Sequence, residues 1–343
     1  MSARPLSSVE IIGGGLAGLS LGLALRQHNI PVTMFDAGQY PRHRVCGEFI
    51  TGLDETTSAR LGLAPFLADA GRMSIVTWFL HGVELRRHRL PSPALTLSRF
   101  TLDQRLVEAF VAAGGDLRTG TRVDLAPAPP GRVFCTGRER RPTDWLGLKM
   151  HVRGLVLRSE LELHLGREAY VGLCPVEDNR VNVCGLFRKQ TGLSTTRETV
   201  LPVYLRAVGL VALADRLQDA AICPESHASV AGVGFGRHRI APGRIRLGDA
   251  FAVIPPFTGH GMAMAFQSAN EALDPLIQWS RGEADWLQTV TSINNRLRRR
   301  FRTRLGAAQT LHPFLFSPGR QHWLARANRT GLLPMRQIYH LLH

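Results

Sequence analysis

The chain has 343 residues, and its 42 basic against 27 acidic side chains give a formal net charge of +15. This length can bury a substantial core in one large domain or two smaller ones, and no charge block or low-complexity tract interrupts it. Five cysteines without CxxC spacing favour reduced thiols over a metal site, so we predict no bound metal. The first apolar strand begins by Val9, which leaves no room for a signal peptide, and we expect a cytoplasmic protein.

The N-terminal elements form a phosphate-binding pattern. Residues 8–12 predict a buried strand, and a glycine-rich turn and a helix to about Gln27 follow it. A second strand at 31–36 ends in an acid. The order strand, GxGxxG, helix, strand, acid is the dinucleotide-binding fingerprint.

Each glycine of that fingerprint, and its acid, has a physical role. Gly13 makes the tight turn, Gly15 lets a pyrophosphate approach the backbone, and Gly18 lets the helix pack on the sheet. Asp36 stands where it can accept hydrogen bonds from an adenosine ribose. The fingerprint by itself does not distinguish NAD from FAD.

The middle of the chain alternates polar and apolar residues as antiparallel strands do. The predicted strands are 145–152, 160–165, 169–176 and 181–187, with further strands of the same sheet in 73–90. Residues 198–217 predict a helix. Lys149 lies on the first of these strands, where burial would lower its pKa and let it act as an acid or orient a substrate. The alternative is an outward-facing side chain on an alternating strand.

A second turn-and-helix element follows a strand at 244–247. This strand stops at Gly248-Asp249, and prolines and glycines predict a turn over 255–260. From Gly261 the apolar residues recur at helical spacing. Glycines ahead of a helix N-terminus let backbone amides meet an electron-rich group.

Four segments together resemble the FAD-dependent oxidoreductases of the p-hydroxybenzoate hydroxylase type, and within them the geranylgeranyl-reductase-like branch. They are the fingerprint at 13–36, the segments 41–49 (PRHRVCGEF) and 98–106 (SRFTLDQRL), and the Gly-Asp loop at 248–262. The resemblance implies an α/β fold, which becomes α+β when the whole chain is considered. Its Rossmann-like FAD-binding domain carries an inserted antiparallel β-sheet substrate domain and a C-terminal helical segment.

The predicted domain boundaries follow from this resemblance and from the strand pattern. The FAD-binding domain comprises 1–72, 95–142 and 237–285, the substrate domain comprises 73–94 and 143–236, and the C-terminal helical segment comprises 286–343.

The resemblance also implies noncovalent FAD. Asp249 would bind the ribityl chain, and the amides near Gly259, Gly261 and Met262 would stabilise negative charge at the pyrimidine edge of reduced flavin. The predicted cofactor-binding residues are Gly13, Gly14, Gly15, Leu16, Ala17, Gly18, Asp36, Ala37, Arg44, Cys46, Arg99, Asp249, Gly259, Gly261 and Met262.

The catalytic candidates are Cys46, Lys149 and His260. The segment around Cys46 passes along the flavin in relatives, so this thiol is either a redox group or a small packed residue. His260 either faces the flavin with its ring or contributes only its backbone. The glycines around it favour the backbone role.

The chain departs from the hydroxylase pattern at the strand 132–137. That strand ends in Thr136-Gly137, where hydroxylases carry an Asp-Gly element associated with FAD and NADPH. The tryptophan-halogenase signature Trp-x-Trp-x-Ile-Pro and a second dinucleotide fingerprint are also absent from the sequence. Either NADPH or NADH remains a candidate electron donor.

The positive charge has two interpretations. Nearly all of the positive charge comes from arginine, since Lys149 and Lys189 are the only lysines. The first interpretation is therefore a coding bias towards arginine. The alternative is an anionic partner, a peripheral membrane face or an acidic carrier protein, contacted through the basic C-terminal region around 296–304. No recognised nucleic-acid-binding module surrounds the basic residues, so we predict no nucleic-acid partner.

These patterns predict a FAD-dependent oxidoreductase that reduces or dehydrogenates a C–C bond of a hydrophobic substrate, polyprenyl or polyketide-derived. The first alternative is an aromatic monooxygenase that uses NAD(P)H and O2. The second alternative is a catalytically inactive flavin-binding protein whose site has decayed at the missing Asp-Gly element.

Overall fold

The computed structural model describes residues 5–126, 128–332 and 335–342. The strands are β1 (Val9–Ile12), β2 (Val32–Phe35), β3 (Phe49–Ile50), β4 (Gly71–Leu80), β5 (Val83–Thr96), β6 (Asp116–Arg118), β7 (Arg132–Phe134), β8 (Trp145–Arg153), β9 (Leu161–Gly166), β10 (Ala169–Val176), β11 (Arg180–Arg188), β12 (Ala221–Ala231), β13 (Gly236–Arg237), β14 (Ile245–Arg246) and β15 (Ala252–Val253). The helices are α1 (Leu16–Gln27), α2 (Glu55–Arg60), α3 (Arg99–Ala112), α4 (Val200–Ala207), α5 (Val211–Gln218), α6 (Gly261–Ser280), α7 (Trp286–Leu311), α8 (Pro318–Arg329) and α9 (Met335–Leu342).

A parallel sheet carries the N-terminal part of the fold. Within the described residues it has five strands in the order β14-β7-β1-β2-β6. Helix α1 is buried along most of its length and packs against α3 and α6. Because parallel strands end at the same edge, this edge collects Gly13, Asp36, Cys135 and Asp249, which follow β1, β2, β7 and β14.

An antiparallel sheet forms the second layer. In the described chain it has eight strands in the order β12-β8-β11-β10-β9-β4-β5-β3, and the β4–β9 pair alone among them is parallel. The strands predicted in 73–90 and in 145–187 are therefore confirmed. Together with the parallel sheet, they confirm the predicted mixed α/β fold class.

The predicted helix 198–217 is wrong as a single element. The structure has α4 and α5 there, separated by Gly209 at φ +81°. That left-handed conformation ends a helix, and glycine adopts it without a steric penalty.

The core is divided between these layers. One apolar cluster lies between the parallel sheet and α1, α3 and α6, and a second lies between the antiparallel sheet and α4 and α5. Part of the C-terminal segment packs on the antiparallel sheet through Leu315, Phe316 and Leu324. In the described part of the chain, no helix is both long and apolar enough to cross a membrane.

Strand β3 bears on the predicted domain boundaries. It lies within the predicted segment 1–72 but pairs with β5 in the antiparallel sheet, where Phe49 faces Thr96. A segment assigned to the FAD-binding domain therefore contributes a strand to the antiparallel sheet. The boundaries themselves stay a prediction.

Candidate active site

A cavity of about 1380 Å³ lies where the carboxyl edge of the parallel sheet meets the antiparallel sheet. It brings together most of the residues predicted to bind the cofactor. Those that line it are Gly13, Gly15, Leu16, Ala17, Asp36, Ala37, Arg44, Cys46, Arg99, Asp249, Gly259, Gly261 and Met262. Gly14, Gly18, Lys149 and His260 are not part of the described lining.

The glycine turn after β1 is packed on one side and open on the other. A Cβ on Gly13, which has φ +109°, would lie 2.2 Å from the carbonyl oxygen of Cys135, and one on Gly18 would lie 2.1 Å from the Gly13 carbonyl. A Cβ on Gly15 would meet nothing within 4 Å. Gly15 is the N-cap of α1 and no side chain caps that helix. Its first amides are therefore available to an anionic group in the cavity.

Asp36 is already hydrogen-bonded within the protein. Its carboxylate accepts hydrogen bonds from the backbone of Gly14 and Gly38 at 2.8 Å each, from Arg42 at 2.6 Å and from Tyr40 at 3.2 Å. The Tyr40 hydroxyl has one proton and also contacts the Gly14 carbonyl oxygen, so the two amides and Arg42 are the firm donors and use most of the four acceptor sites of the carboxylate. A ribose hydroxyl would compete with Tyr40 and Arg42 for the remaining acceptor position, which the sequence fingerprint did not anticipate.

The carboxylate of Asp249, by contrast, makes no hydrogen bond to any residue that the structure describes. It lines the cavity directly after the Gly248 turn, where the Gly248 amide is held by Ser268 Oγ at 2.8 Å. Burial raises the pKa of Asp249, against the lowering effect of the nearby Arg138 and Arg99 charges. Asp249 thus offers free acceptor atoms to a ligand in the cavity.

Arg99 and Arg44 share one buried acid. Arg99 binds Asp103 through two hydrogen bonds of 2.8 Å, and Arg44 Nε lies 3.1 Å from the same carboxylate. Two cations on one anion leave a net positive charge at this wall of the cavity. That charge suits an anionic ligand or the acid Asp249.

The loop before α6 presents backbone rather than side chains. Gly259 has φ +72°, and a Cβ there would lie 2.3 Å from the ring of Phe49. Helix α6 begins at Gly261, as the sequence predicted, and no side chain caps it. The His260 ring is buried away from the cavity, with Nδ1 2.6 Å from the Thr258 carbonyl oxygen.

Behind the cavity lies a buried charge cluster that the sequence analysis did not assemble. Lys149 Nζ lies 3.3 Å from Glu48 Oε1 and 3.0 Å from His43 Nδ1. His151 Nε2 lies 2.5 Å from Glu48 Oε2, and the Arg99 amide donates to Glu48 Oε1 at 3.0 Å. Of this cluster only His43 and Arg99 line the cavity.

The charges of the cluster stabilise one another. Burial would raise the pKa of Glu48, but the His151 hydrogen bond and the Lys149 charge hold it below its usual range. Lys149 therefore acts on the cavity through His43 rather than by direct contact. A sequence signal for this cluster existed, because Lys149 and His151 lie two apart on a strand and share one face.

The predicted absence of a metal gains a physical argument here. In the described chain, His43, Glu48 and His151 have ligand atoms within 4.8 Å of one another, which is metal-site spacing. The Lys149 ammonium, however, lies within hydrogen-bonding distance of two of them. A metal ion would have to displace this buried cation, so the group is an ion-pair network.

Cys46 lines the cavity, but its surroundings disfavour a thiolate. Burial raises the pKa of Cys46, and its Sγ accepts a hydrogen bond from the Glu48 amide at 3.4 Å. Asn182 on β11 donates to the carbonyl oxygens of Cys46 and Gly47 at 3.1 and 2.8 Å. These contacts fasten the 41–49 loop to the antiparallel sheet.

The rest of the cavity is mainly apolar. Trp78, Leu163 and Tyr170 contribute from the antiparallel sheet, and Phe257 and Leu315 contribute from the loop before α6 and from the C-terminal segment. A cavity with a polar edge and an apolar body suits a hydrophobic ligand beside a charged one.

This fold is the one that FAD-dependent monooxygenases and flavin-dependent halogenases share. The chain is similar to pqsL, a probable FAD-dependent monooxygenase from Pseudomonas aeruginosa, with 15% identity, coverage of 96% of this chain and 99% of that one, and a TM-score of 0.71. It is similar to HpxO from Klebsiella pneumoniae, solved with FAD and uric acid, with 17% identity, 98% and 96% coverage and a TM-score of 0.75. The flavin-dependent brominase Bmp2 matches with 16% identity, 98% and 92% coverage and a TM-score of 0.75.

These likenesses confirm the expected fold of the p-hydroxybenzoate hydroxylase type. At this level of identity they show the fold alone, and the geranylgeranyl-reductase branch stays a prediction. No family model and no curated protein matches the chain.

Proposed function

We propose that this chain is a FAD-dependent oxidoreductase, and that it is a monooxygenase using NAD(P)H and O2 on a hydrophobic, aromatic substrate. The observation that carries the proposal is that one continuous cavity joins a polar edge at Gly15 and Asp249 to an apolar body. The fold of FAD-dependent monooxygenases supports it.

The residues present fit FAD. The open side of Gly15 and the uncapped first turn of α1 suit a pyrophosphate, and the free carboxylate of Asp249 suits ribityl hydroxyls. The uncapped N-terminus of α6 at Gly261 would stabilise negative charge on a reduced flavin. Bound FAD would supply the redox chemistry, and the protein would bind, orient and exclude water.

The first prediction from the sequence, reduction or dehydrogenation of a C–C bond, is the second candidate. The 41–49 segment and the missing Asp-Gly element favour it. In the structure Thr136, Gly137 and Arg138 line the cavity at the place of that element. Arg138 there is a candidate contact for an anionic electron donor such as NADPH or NADH.

Anaerobic mixing of the yellow holoprotein with NADPH or NADH, followed by admission of O2, tests the proposal. A monooxygenase is expected to consume O2 and NAD(P)H together, with an aromatic substrate accelerating flavin reduction. Turnover of a C–C bond without O2 would favour the reductase. A bound flavin that no donor reduces would identify an inactive flavin-binding protein, and a protein that cannot be reconstituted with FAD would refute all three.

Contact with a membrane face or an acidic carrier protein is a separate proposal. On α7, Leu297 and Phe301 are buried, while Arg298, Arg299 and Arg302 are exposed. This is the pattern of a solvated helix face. Loss of vesicle binding in a variant with these three arginines changed to glutamine would support a functional role for the charge.

A further inference from the structure

We propose that His43 is a hydrogen-bond donor to an oxygen atom of the bound substrate, and that Lys149 positions it by holding Nδ1 so that Nε2 carries the proton. The inference rests on the proposed function and adds the substrate class to it. The substrate would be a hydrophobic molecule with a phenolic, enolic or carbonyl oxygen.

The His43 ring is held in one orientation at the cavity wall. It is half-buried, stacks on Phe100 with a centroid distance of 4.7 Å, and meets the His151 ring edge-on at 5.1 Å. Contacts on the face and on the edge leave the ring little freedom to rotate. A polar group held this way is preorganised for a ligand.

The contact with Lys149 determines the tautomer. A lysine ammonium has hydrogen-bond donors and no acceptor, so at 3.0 Å the Nδ1 atom of His43 must accept. A neutral ring that accepts at Nδ1 carries its proton on Nε2. Nε2 makes no hydrogen bond to any residue that the structure describes, so this proton is available to the cavity.

The ring stays neutral across the physiological range. Burial and the neighbouring charge of Lys149 lower the pKa of His43 to about 4. Lys149 Nζ also lies 3.3 Å from Glu48 Oε1, so the buried ammonium has a carboxylate partner beside His43. His43 is therefore a neutral donor rather than a general base, because its one lone pair is already used by Lys149.

The cavity wall at β10 leaves room for a ligand near the backbone. Gly172 on β10 lines the cavity, and a Cβ there would meet only the Cys184 carbonyl oxygen, at 3.9 Å. Gly172 and His43 line the same cavity, so one ligand can contact both walls. A fixed N–H donor then favours a ligand with an oxygen at that edge, because a ligand without one leaves the donor unpaired.

Binding of matched probes to the FAD-loaded protein tests the proposal. The probes are 2-naphthol and its isostere 2-methylnaphthalene, followed by the change in the flavin absorbance spectrum and by calorimetry. Wild-type protein is expected to bind 2-naphthol at least about tenfold more tightly, as one additional hydrogen bond implies. His43→Leu is expected to lose this preference, while His43→Gln, which keeps a donor near the position of Nε2, retains part of it.

His28→Leu is the matched control, since His28 is exposed at the end of α1. It should bind both probes as the wild type does. Equal binding of the two probes by the wild type, including no binding of either, overturns the proposal. So does a preference that survives in His43→Leu.

A second readout is independent of any ligand. Nitrogen-15 NMR of the histidine-labelled protein is expected to show His43 neutral at pH 5 with its proton on Nε2. An imidazolium at that pH, or a proton on Nδ1, refutes the positioning role of Lys149.

Failure of the monooxygenase assay with the probe preference intact would overturn the proposed reaction only. If the wild type shows no probe preference but normal O2-coupled turnover, only the role of His43 is overturned.

Discussion

The Lys149 ammonium lies 3.3 Å from the Glu48 carboxylate, and neither side chain is exposed to solvent. Glu48 lies in the loop at 41–49 and Lys149 lies on β8, so the pair fastens the cavity-lining loop to the antiparallel sheet. Removing either side chain takes a buried counter-charge from the other, although Glu48 keeps its hydrogen bond to His151 and Lys149 keeps its contact with His43.

Removing one partner of this pair should therefore cost more than removing both. We expect Lys149→Met and Glu48→Gln each to lower the free energy of unfolding by about 3–5 kcal/mol, and the double variant to recover part of that loss. Urea unfolding of the three variants measures the coupling. Losses that simply add would show that the two side chains do not stabilise each other.

Asp36 should make stability depend on pH. Burial would raise its pKa, but the Gly38 amide and the Arg42 charge hold the pKa below the ordinary 3.8. A lowered carboxyl pKa contributes stability that is present above the unfolded value and is lost as the pH falls through the folded one.

We therefore expect Asp36→Asn to lower the free energy of unfolding by about 1–3 kcal/mol at pH 7, and this difference to shrink below pH 4. Thermal unfolding across pH 3–7 measures it. Asp219→Asn, on the exposed end of α5, serves as the control without a partner of this kind. A difference that is independent of pH would contradict the assignment.

Asp249 should affect cofactor retention rather than folding. Its carboxylate faces the cavity without a described hydrogen bond, so Asp249→Ala is expected to loosen FAD by about 1.5–3 kcal/mol. The flavin-to-protein ratio after gel filtration measures this. Asp219→Ala is the control, because Asp219 is exposed at the end of α5 and is not part of the described cavity lining. Equal flavin retention in both variants would remove Asp249 from the binding site.

Gly15 allows a test of how closely a ligand approaches the glycine turn. A Cβ there meets no protein atom within 4 Å, so Gly15→Ala should leave the melting temperature of the FAD-free protein nearly unchanged. It should weaken FAD binding by more than tenfold if the pyrophosphate lies against the backbone, as the fingerprint predicts.

Gly306→Ala is the matched control, because its Cβ also meets nothing and it lies on α7 away from the cavity. Titration of the FAD-free variants with FAD compares the two. Tight FAD binding by Gly15→Ala would mean that the cofactor does not lie at this turn.

The ring of His260 should be dispensable for flavin reduction. It is buried and bonded to the Thr258 carbonyl, outside the described cavity lining. We expect His260→Ala to lower stability by about 1–3 kcal/mol while the anaerobic rate of flavin reduction changes less than tenfold. A larger loss, at unchanged flavin content, would show that the side chain takes part.

Sequence alone determined the elements that depend on near neighbours in the chain. The glycine turn after β1, the alternating strands and the start of α6 at Gly261 follow from backbone freedom and from hydrophobic periodicity, which act over a few residues. The four ordered segments were likewise sufficient to predict the fold class. The break between α4 and α5 at Gly209 was missed because the apolar pattern continues through it.

Tertiary structure decided how the side chains are used. His43 and Glu48 meet Lys149 and His151 across about a hundred residues of sequence, and only the packing of the 41–49 loop on β8 brings them together. The same is true of Asp36, whose hydrogen bonds to Arg42 and Tyr40 depend on how the following loop folds back. Burial and partner choice depend on contacts between distant segments, so residue types and spacing identified the candidates but not their roles.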